Sequence, residues 1–133
     1  MDVFTAAELE YLRGNQLLAR LATVGRDGMP HLSPVGWSLR PDGRTIEIGG
    51  HNFGGSKKFR DVQRTGLAAL VVDDVLPPWR PRGVEIRGRA EAVSGGRVVI
   101  RIHPQRIVSW GLTPADTVEA SYHARDVEET TNA

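Results

Sequence analysis

Within the segment 83–93, small or apolar side chains alternate strictly with charged ones from residue 84 to residue 92. Side chains on a β-strand point to opposite faces with a period of two, so this pattern predicts a strand with one buried and one solvated face. Five further segments have strand character: 17–24, 29–39, 44–50, 67–73 and 97–112. Tight turns at 25–28, 40–43 and 94–96 separate neighbouring strands. Six strands joined in this way predict a mostly β protein, an antiparallel barrel or sandwich.

Two short helices complete the prediction. Thr5 and Glu8 have the spacing of a capping box, which starts an N-terminal helix within residues 1–16 that Gly14 and Asn15 end. Ser56 is the N-cap of the second helix, and Gly66 ends it. We expect one domain over residues 1–133. In it, the proline-rich segment 74–82 is irregular, the last strand is interrupted at its proline, and the polar tail 113–133 is loosely held.

Composition excludes several classes of protein and site. The chain has no cysteine, which rules out disulfides, thiolate zinc sites and a cysteine nucleophile. A formal net charge of +1 argues against a nucleic-acid-binding domain. No apolar run approaches the roughly 20 residues of a membrane span, and no secretory signal begins the chain, so we expect a cytoplasmic protein. The four histidines are scattered and predict no metal site.

Two lysines, Lys57 and Lys58, open the second helix, where the helix dipole is already positive. A bound anion would turn that repulsion into attraction, because the first backbone N–H groups of a helix are unpaired. The hypothesis is a phosphate site formed by Gly55, Ser56, both lysines and Arg60; the alternative is an ordinary charged surface helix. The segment is not a Walker A loop, and the sequence offers no nucleophile elbow, so a cofactor is expected to supply the chemistry.

Four stretches together resemble a known superfamily. LLARLATVGRDGMPHLSPVGW (17–37) and SKKFRDVQRTGLAALVVDD (56–74) resemble the pyridoxamine 5′-phosphate oxidase-like split β-barrel proteins. VLPPWRPRGVEIRGRAEA (75–92) and IRIHPQRIVSWGL (100–112) are similar to the actinobacterial branch that uses the deazaflavin coenzyme F420. The resemblance implies a six-stranded antiparallel split β-barrel with two or more short helices, which forms a homodimer with cofactor sites at its interface.

The resemblance also implies where the cofactor lies. Its phosphate is expected on Ser56, Lys57, Lys58 and Arg60. Its ring system is expected along one strand and the turn after the next, at Ser33, Pro34, Val35, Gly36, His51 and Asn52. Residues of the opposite subunit are expected to reach into the site: Trp79, Arg80, Arg82, Arg106 and Trp110. The alternatives are that Trp79 anchors a loop and that Trp110 packs in the dimer interface.

The implied function is hydride transfer between F420 and an unsaturated or quinone-like organic substrate, with reduction of the substrate as the expected direction. Of the 17 basic residues 15 are arginines, which favours the oligoglutamate chain of F420 over FMN, the first alternative. The second alternative is a non-catalytic carrier of flavin, deazaflavin or haem. Vitamin B6 oxidation is not expected, because the C-terminal stretch that holds substrate phosphate in the true oxidases has no counterpart after Leu112.

Overall fold

A computed structural model describes residues 2–14 and 18–128 of the chain. Two α-helices are present, α1 (Ala6–Leu12) and α2 (Lys57–Thr65). Short 3-10 turns cover Phe53–Gly55 and Glu119–Ser121. The seven strands are β1 (Leu18–Val24), β2 (Pro30–Leu39), β3 (Ile46–Gly49), β4 (Leu67–Leu76), β5 (Arg80–Val93), β6 (Val99–Trp110) and β7 (His123–Asp126). Within these ranges, no helix is both long and apolar enough to cross a membrane.

The strands form a closed antiparallel barrel, which confirms the predicted split-barrel fold. Their order is β3-β2-β1-β4-β5-β6-β7, and β3 also pairs with β6, so the first six strands close on themselves and β7 adds to the outside edge of β6. The closing pairs include Ile46 with Ile102 and Ile48 with Ile100. The inward side chains are apolar and almost fully buried: Ala19, Leu21, Ile46, Ile48, Leu70, Val72, Val84, Ile86, Ile100, Ile102 and Ile107.

Both helices start where local sequence signals place them. The Glu8 backbone N–H donates to Thr5 Oγ1 at 3.2 Å, and the Thr5 N–H donates to Glu8 Oε1 at 3.0 Å, which completes the capping box. In α2, Ser56 Oγ accepts from the Phe59 N–H at 3.3 Å, and Gly66 ends the helix with a φ of 68°. The predicted stop at Asn15 lies outside the described residues.

The prediction that the last barrel strand is interrupted at Pro104 is wrong. Strand β6 runs through this position with a β-bulge, where Arg87 pairs with Arg106 and Gly88 pairs directly with Pro104. The Pro104 nitrogen faces away from β5, so the β5–β6 ladder requires no N–H from it. A Cβ on Gly88 would lie 2.0 Å from the carbonyl oxygen of His103, so only glycine fits opposite the bulge.

The prediction that residues 74–82 are irregular is also wrong. Strands β4 and β5 stay paired out to Leu76 and Arg80, and the turn is confined to the three residues between them. Pro81 is tolerated because it lies on β5 beyond the last pair with β6, Gly83 with Trp110, where no ladder bond is required of it. This hairpin end therefore projects past the barrel as a two-stranded arm.

The prediction that residues 113–133 form a loosely held tail is wrong for part of this segment. Residues 123–126 form β7 and pair with β6, from Arg106 with Asp126 to Ser109 with His123. The Gly111 N–H donates to Ser121 Oγ at 2.7 Å, which fixes the connection. Arg125 then reaches across to α1 and bonds the Glu8 carboxylate. The tail is thus tied to the start of the chain.

Candidate functional site

Among the described residues, strand β2 has an edge that no other strand covers over residues 30–36. It pairs with β1 from Pro30 to Gly36, whereas β3 pairs with it only over Trp37–Leu39. Backbone groups of alternate residues point to opposite edges of a strand, and proline has no N–H to give a ladder. The N–H groups of residues 31, 33 and 35 therefore serve the β1 ladder. The backbone groups of residues 30, 32, 34 and 36 face the open edge.

The ring-binding residues predicted from the resemblance lie along this edge or at its end. Ser33, Pro34, Val35 and Gly36 are consecutive on β2, and His51 and Asn52 form the turn after β3. The Val35 side chain is buried in the core, so Val35 offers only its backbone. Asn52 adopts a left-handed conformation with a φ of 51°, which redirects the chain into the 3-10 turn before α2.

Two glycines of the predicted site have space above them. A Cβ built on Gly36 or on Gly55 would meet no atom within 4 Å, and neither residue has a positive φ. Their own chain therefore requires glycine at neither position for packing or for conformation. Glycine in a strand weakens it and often marks close approach of a ligand or of another backbone. The open space at both ends of the predicted site fits a cofactor that lies against the backbone.

The cations at the start of α2 have no ion-pair partner among the described residues, although the carboxylate of Asp27 in the β1–β2 turn lies close enough to Lys57 for their charges to interact. Within residues 2–14 and 18–128, no carboxylate lies within 4.0 Å of the charged groups of Lys57, Lys58 or Arg60. Lys57 and Arg60 are exposed, and the Lys58 ammonium lies 5.8 Å from the centroid of the Phe53 ring. The structure thus brings Gly55, Ser56 and three cations to one helix start, as the sequence predicts.

Two further arginines that sequence reasoning missed extend this basic surface. Arg26, from the β1–β2 turn, and Arg64, one turn further along α2, line a depression of about 580 Å³ together with Lys57 and Arg60. Arg26 belongs to a turn and Arg64 to the polar face of a helix, where exposed arginines are common. No local signal distinguishes them, because their grouping comes from packing of the turn against α2.

Asp61 lies at the base of the depression but is already fully engaged. Its Oδ2 accepts from Thr23 Oγ1 at 2.8 Å and lies 2.8 Å from Nδ1 of His31, and Arg64 lies 3.3 Å from Oδ1. Burial raises the pKa of this carboxyl, but the hydrogen bonds, with that from His31 the largest, outweigh burial and hold the pKa below its usual value. The charge of Asp61 is therefore matched locally, and the depression stays basic.

The residues expected from the opposite subunit lie elsewhere on this chain. Trp79 is 74% exposed at the tip of the β4–β5 arm, and Arg80 donates to the Pro77 carbonyl oxygen at 3.3 Å. The C-terminal end of α2 is bonded to β5 at Ala90. Arg80 and Ala90 are ten positions apart along β5, which corresponds to a distance on the order of 33 Å along the strand. Within one chain, the arm and the start of α2 are therefore not neighbours.

Arg106 and Trp110 both have partners within their own chain. Arg106 forms an ion pair of 2.8 Å with Asp126 on β7. The Trp110 ring stacks on Tyr122, with 5.7 Å between centroids and 23° between planes. Packing therefore accounts for Trp110 in a single subunit.

Comparison with known proteins places the chain among a group of related sequences and folds. Residues 5–111 match the family model described as pyridoxamine 5′-phosphate oxidase. A reductase of 5a,11a-dehydrotetracycline and 5a,11a-dehydrooxytetracycline from Streptomyces rimosus is 44% identical over 135 residues, covering 93% of each chain.

Two solved structures share the fold at low sequence identity. An FAD-binding protein from Mycobacterium smegmatis matches 80% of this chain and 93% of its own with a TM-score of 0.63 at 20% identity. An F420 reductase matches 74% of this chain and 94% of its own with a TM-score of 0.57, also at 20% identity.

Proposed function

The chain belongs to the pyridoxamine 5′-phosphate oxidase family, and from this premise we propose that it is an F420-dependent reductase of an unsaturated or quinone-like organic compound. The 44% identical relative, which covers nearly all of the chain, is a reductase, and this chain is an oxidoreductase enzyme of the same kind. The relative is named for the reduction of dehydrotetracyclines, which supports an unsaturated organic substrate here.

The observation that carries the proposal is the set of cations at the start of α2 that have no ion-pair partner. Lys57, Lys58 and Arg60 have no carboxylate partner within 4.0 Å in the described chain, although like charges at a helix start cost stability. The coenzyme phosphate would lie at this helix start, beside the open space over Gly55. The Ser56 hydroxyl shapes this start rather than binding the phosphate, because it donates to the Phe53 carbonyl oxygen at 2.6 Å and caps the Phe59 N–H. Binding of a dianion there offsets the cost that the folded protein bears without it.

The open edge of β2 would hold the ring system. Four residues, 30, 32, 34 and 36, direct their backbone groups to this edge. Leu32 and Gly36 each offer an N–H group there, whereas the two prolines have none. The space over Gly36 allows a flat ring to lie against the strand. This edge and the cations of α2 would hold a reduced coenzyme, whose chemistry would be hydride donation to the substrate, with a proton from solvent completing the two-electron reduction. The chain's own contribution is to bind, orient and shield these groups.

The basic depression favours F420 over FMN. Both cofactors carry a phosphate, but F420 continues beyond it into an anionic oligoglutamate chain. Arg26 and Arg64 extend the cation surface past the phosphate position, over a volume of about 580 Å³. FMN has nothing to place there. FMN remains the alternative; a purified protein that is yellow and absorbs in the flavin band would support it.

The second subunit of the proposed homodimer would cover one apolar barrel face. The registers of Ala22 with Leu32 and of Ala22 with Ala69 put alternate residues of β2, β1 and β4 on the same outer face. Of these, Leu32 is the most exposed, at 75%. The exposed large apolar side chains on that face are Leu18, Val24, Leu32, Leu67 and Val75. The ion pair of Arg20 and Asp73 also lies on this face. Clustered exposed apolar side chains are typical of an interface with another chain. The same face borders the open edge of β2.

A titration tests the coenzyme site. Purified protein is titrated into F420 at constant coenzyme concentration, and coenzyme fluorescence is followed. Lys57→Ala is expected to weaken binding by about 1.5–3 kcal/mol, the range for a hydrogen bond to a charged group, or roughly 10- to 150-fold. Arg13→Ala, an exposed arginine at the end of α1, is the matched control and should leave affinity unchanged. Equal affinity of the Lys57 variant and wild type would place the phosphate elsewhere.

Turnover separates an enzyme from a carrier. Reduced F420 is mixed with a panel of enones and quinones, and loss of the reduced coenzyme is compared with a protein-free control. Saturable binding without turnover for the whole panel would support the carrier alternative.

The dimer is tested by sedimentation. Leu32→Glu places a charge on the apolar face and is expected to shift the sedimentation coefficient to that of a monomer. Ala124→Glu on exposed β7 is the control. A wild-type protein that sediments as a monomer at tens of micromolar would contradict the proposed interface.

A further inference from the structure

A cleft of about 430 Å³ begins where the uncovered edge of β2 ends. Gly36 is the last residue of that edge and also lines the cleft, and Gly50 of the cleft wall directly precedes His51. This volume lies within the range of small-molecule pockets and fits a planar compound of two fused rings. A molecule in the cleft would therefore lie next to the residues that are proposed to hold the coenzyme ring.

The cleft opens on the outer face of the barrel. Side chains alternate between the two faces of a strand, and the fully buried Ile48 and Ile100 mark the inner face. The residues of the three strands that lie on the outer face at the cleft are Gly36 and Ser38 of β2, Glu47 and Gly49 of β3, and Val99 of β6. Arg97, in the loop before β6, reaches the same face, since its guanidinium lies 3.2 Å from Glu47 Oε1.

Three glycines that the fold does not require form the floor of the cleft. None of Gly36, Gly49 and Gly50 has a positive φ. A Cβ on Gly36 would meet no atom within 4 Å. On Gly49 and Gly50 its nearest contacts would be at 3.4 Å and 3.6 Å, which are ordinary van der Waals distances. Larger side chains would fit the backbone but would fill the cleft, and glycine in a strand often marks close approach of a ligand.

The cleft carries an accessible positive charge. Arg97 is the only basic residue that lines it within the described part of the chain, and its side chain is 77% exposed. The buried Glu47 is also paired with Arg40, which donates to Oε2 at 2.7 Å. Glu47 Oε1 accepts no hydrogen bond, so the N–H donors of Arg97 are not used by this carboxylate. Two cations on one buried carboxylate leave a net positive charge, which Arg97 presents to the cleft.

We propose that this cleft is the substrate pocket and that Arg97 selects a planar substrate with a negative charge, such as the anion of an acidic enol or of a hydroxyquinone. The flat ring lies against the three glycines, and the charged oxygen accepts hydrogen bonds from the Arg97 guanidinium. A neutral analogue of the same shape keeps the ring contacts but loses the charged hydrogen bond. The assignment rests on the proposed function, because the coenzyme ring gives the substrate its reaction partner.

Two probes that differ in charge test the pocket without the coenzyme. 2-Hydroxy-1,4-naphthoquinone is an anion at pH 7, and its methyl ether is a neutral molecule with the same ring system. Each is titrated into the purified protein at pH 7, and the probe's absorbance change gives its dissociation constant. Wild type is expected to bind the hydroxy compound at least about tenfold more tightly than the ether, the lower end of the range for a hydrogen bond to a charged group.

Substitution of Arg97 tests whether this residue causes the preference. Arg97→Gln is expected to weaken binding of the anion about tenfold or more and to leave the ether within about twofold of wild type. The variant is expected to fold, because Arg97 is largely exposed and Arg40 still pairs with Glu47. Arg97→Lys keeps the charge and should recover part of the preference. Arg87→Gln on β5, an exposed arginine that also pairs with a glutamate, is the matched control and should bind both probes as wild type does.

A third variant locates the bound probe. Ser38→Phe places a ring in the cleft and is expected to weaken binding of both probes by about tenfold or more. Unchanged binding in this variant would place the probes outside the cleft and overturn the proposal. Equal binding of the two probes by wild type, no binding of the hydroxy compound, or an unchanged preference in Arg97→Gln would show that Arg97 serves only as a counter-ion of Glu47, which also overturns it.

The F420 titration on Arg97→Gln separates this proposal from the proposed function. Coenzyme affinity is expected to stay within about twofold of wild type, because the proposed phosphate contacts lie at α2 and distant sites act independently. A loss of coenzyme affinity would assign Arg97 to the coenzyme and overturn its role toward the substrate. Retained coenzyme binding without probe preference refutes the substrate pocket alone. Probe preference in a protein that does not bind F420 refutes the proposed coenzyme and supports the pocket.

Discussion

Removal of the Arg125 side chain probes the contact between the two ends of the described chain. The Glu8 carboxylate is 1% exposed. Arg125 donates to it twice, at 3.0 Å to Oε2 and at 2.6 Å to Oε1. The Ser109 hydroxyl adds a bond of 2.6 Å and the Thr5 N–H a bond of 3.0 Å. In Arg125→Ala, the buried carboxylate keeps the two neutral donors and loses its counter-charge.

Two effects limit how much unfolding free energy Arg125→Ala is expected to lose. Breaking a buried ion pair by removing one partner costs about 3–5 kcal/mol, but Arg125 is itself partly exposed, which reduces the figure. Glu8 can also escape by taking up a proton, which at pH 7 costs about 3.7 kcal/mol for a carboxyl with an ordinary pKa near 4.3. We therefore expect Arg125→Ala to lower the free energy of unfolding by about 2–4 kcal/mol at pH 7.

The pH dependence gives the sharper test. In wild type, burial raises the pKa of Glu8, but bonds from Arg125, Ser109 and Thr5 outweigh it and hold the pKa below its usual value. A lowered pKa stabilises the fold above the ordinary carboxyl pKa, and this stabilisation is lost as pH falls through the lowered value. In Arg125→Ala, burial is no longer outweighed, so Glu8 protonates at a higher pH. The difference from wild type should therefore shrink between pH 7 and about pH 4.5.

Urea unfolding followed by tryptophan fluorescence, at fixed protein concentration and at both pH values, measures the difference. Asp126→Ala is the matched control on the same strand: its ion pair with Arg106 is on the surface, with Asp126 83% exposed, and should contribute at most about 1 kcal/mol. A loss in Arg125→Ala no larger than the control, or a loss that is the same at both pH values, would refute the account of Glu8.

Three further substitutions follow from single contacts. Gly88→Ala would place Cβ 2.0 Å from the His103 carbonyl oxygen and is expected to cost more than about 3 kcal/mol in unfolding free energy, whereas Gly96→Ala, with no atom within 4 Å, should be near neutral. Trp110→Ala loses a ring stacked at 5.7 Å and is expected to lower stability by about 2 kcal/mol; an unchanged melting curve would show the ring to be peripheral. Asp61→Asn is expected to cost about 2–4 kcal/mol at pH 7, and because the pKa of Asp61 is lowered in the fold, the gap from wild type should narrow as pH falls below that of an ordinary carboxyl.

The parts of the fold that sequence predicted are those with local causes. A capping box at Thr5, an N-cap at Ser56 and a left-handed glycine at Gly66 each act within four residues, and all three are present. The barrel closure between β3 and β6 has no such local signal. The strand pattern alone predicts either a barrel or a sandwich, and only the resemblance favours the barrel.

The parts that were missed depend on distant partners. Arg125 and Glu8 are separated by 117 positions, and the polar segment around Arg125 has no apolar alternation to indicate a strand. It pairs because β6 offers a free edge, which only the folded barrel contains. Prolines predict breaks in regular structure, but Pro81 and Pro104 lie within strands at positions where the neighbouring ladder requires no N–H.

The candidate site also combines residues that local sequence predicts with residues that it does not. The lysines of α2 were predicted because a cation at a helix start conflicts with local electrostatics. Asp61 gives no such signal, because a helix position is an ordinary place for a solvated acid. It is buried, and Thr23 of β1 and His31 of β2 contact its carboxylate, which only the folded barrel brings together.

The prolines of β2 also limit aggregation of this protein through its unpaired strand edge. An unpaired strand edge is a template on which a strand of another molecule can add, the first step toward aggregates. Pro30 and Pro34 both present their ring nitrogens to that edge, so an incoming strand finds two of the four expected donors missing. Replacing both with residues that restore the N–H would keep the fold and lengthen the adhesive edge, at the very place where a small molecule needs access to the backbone.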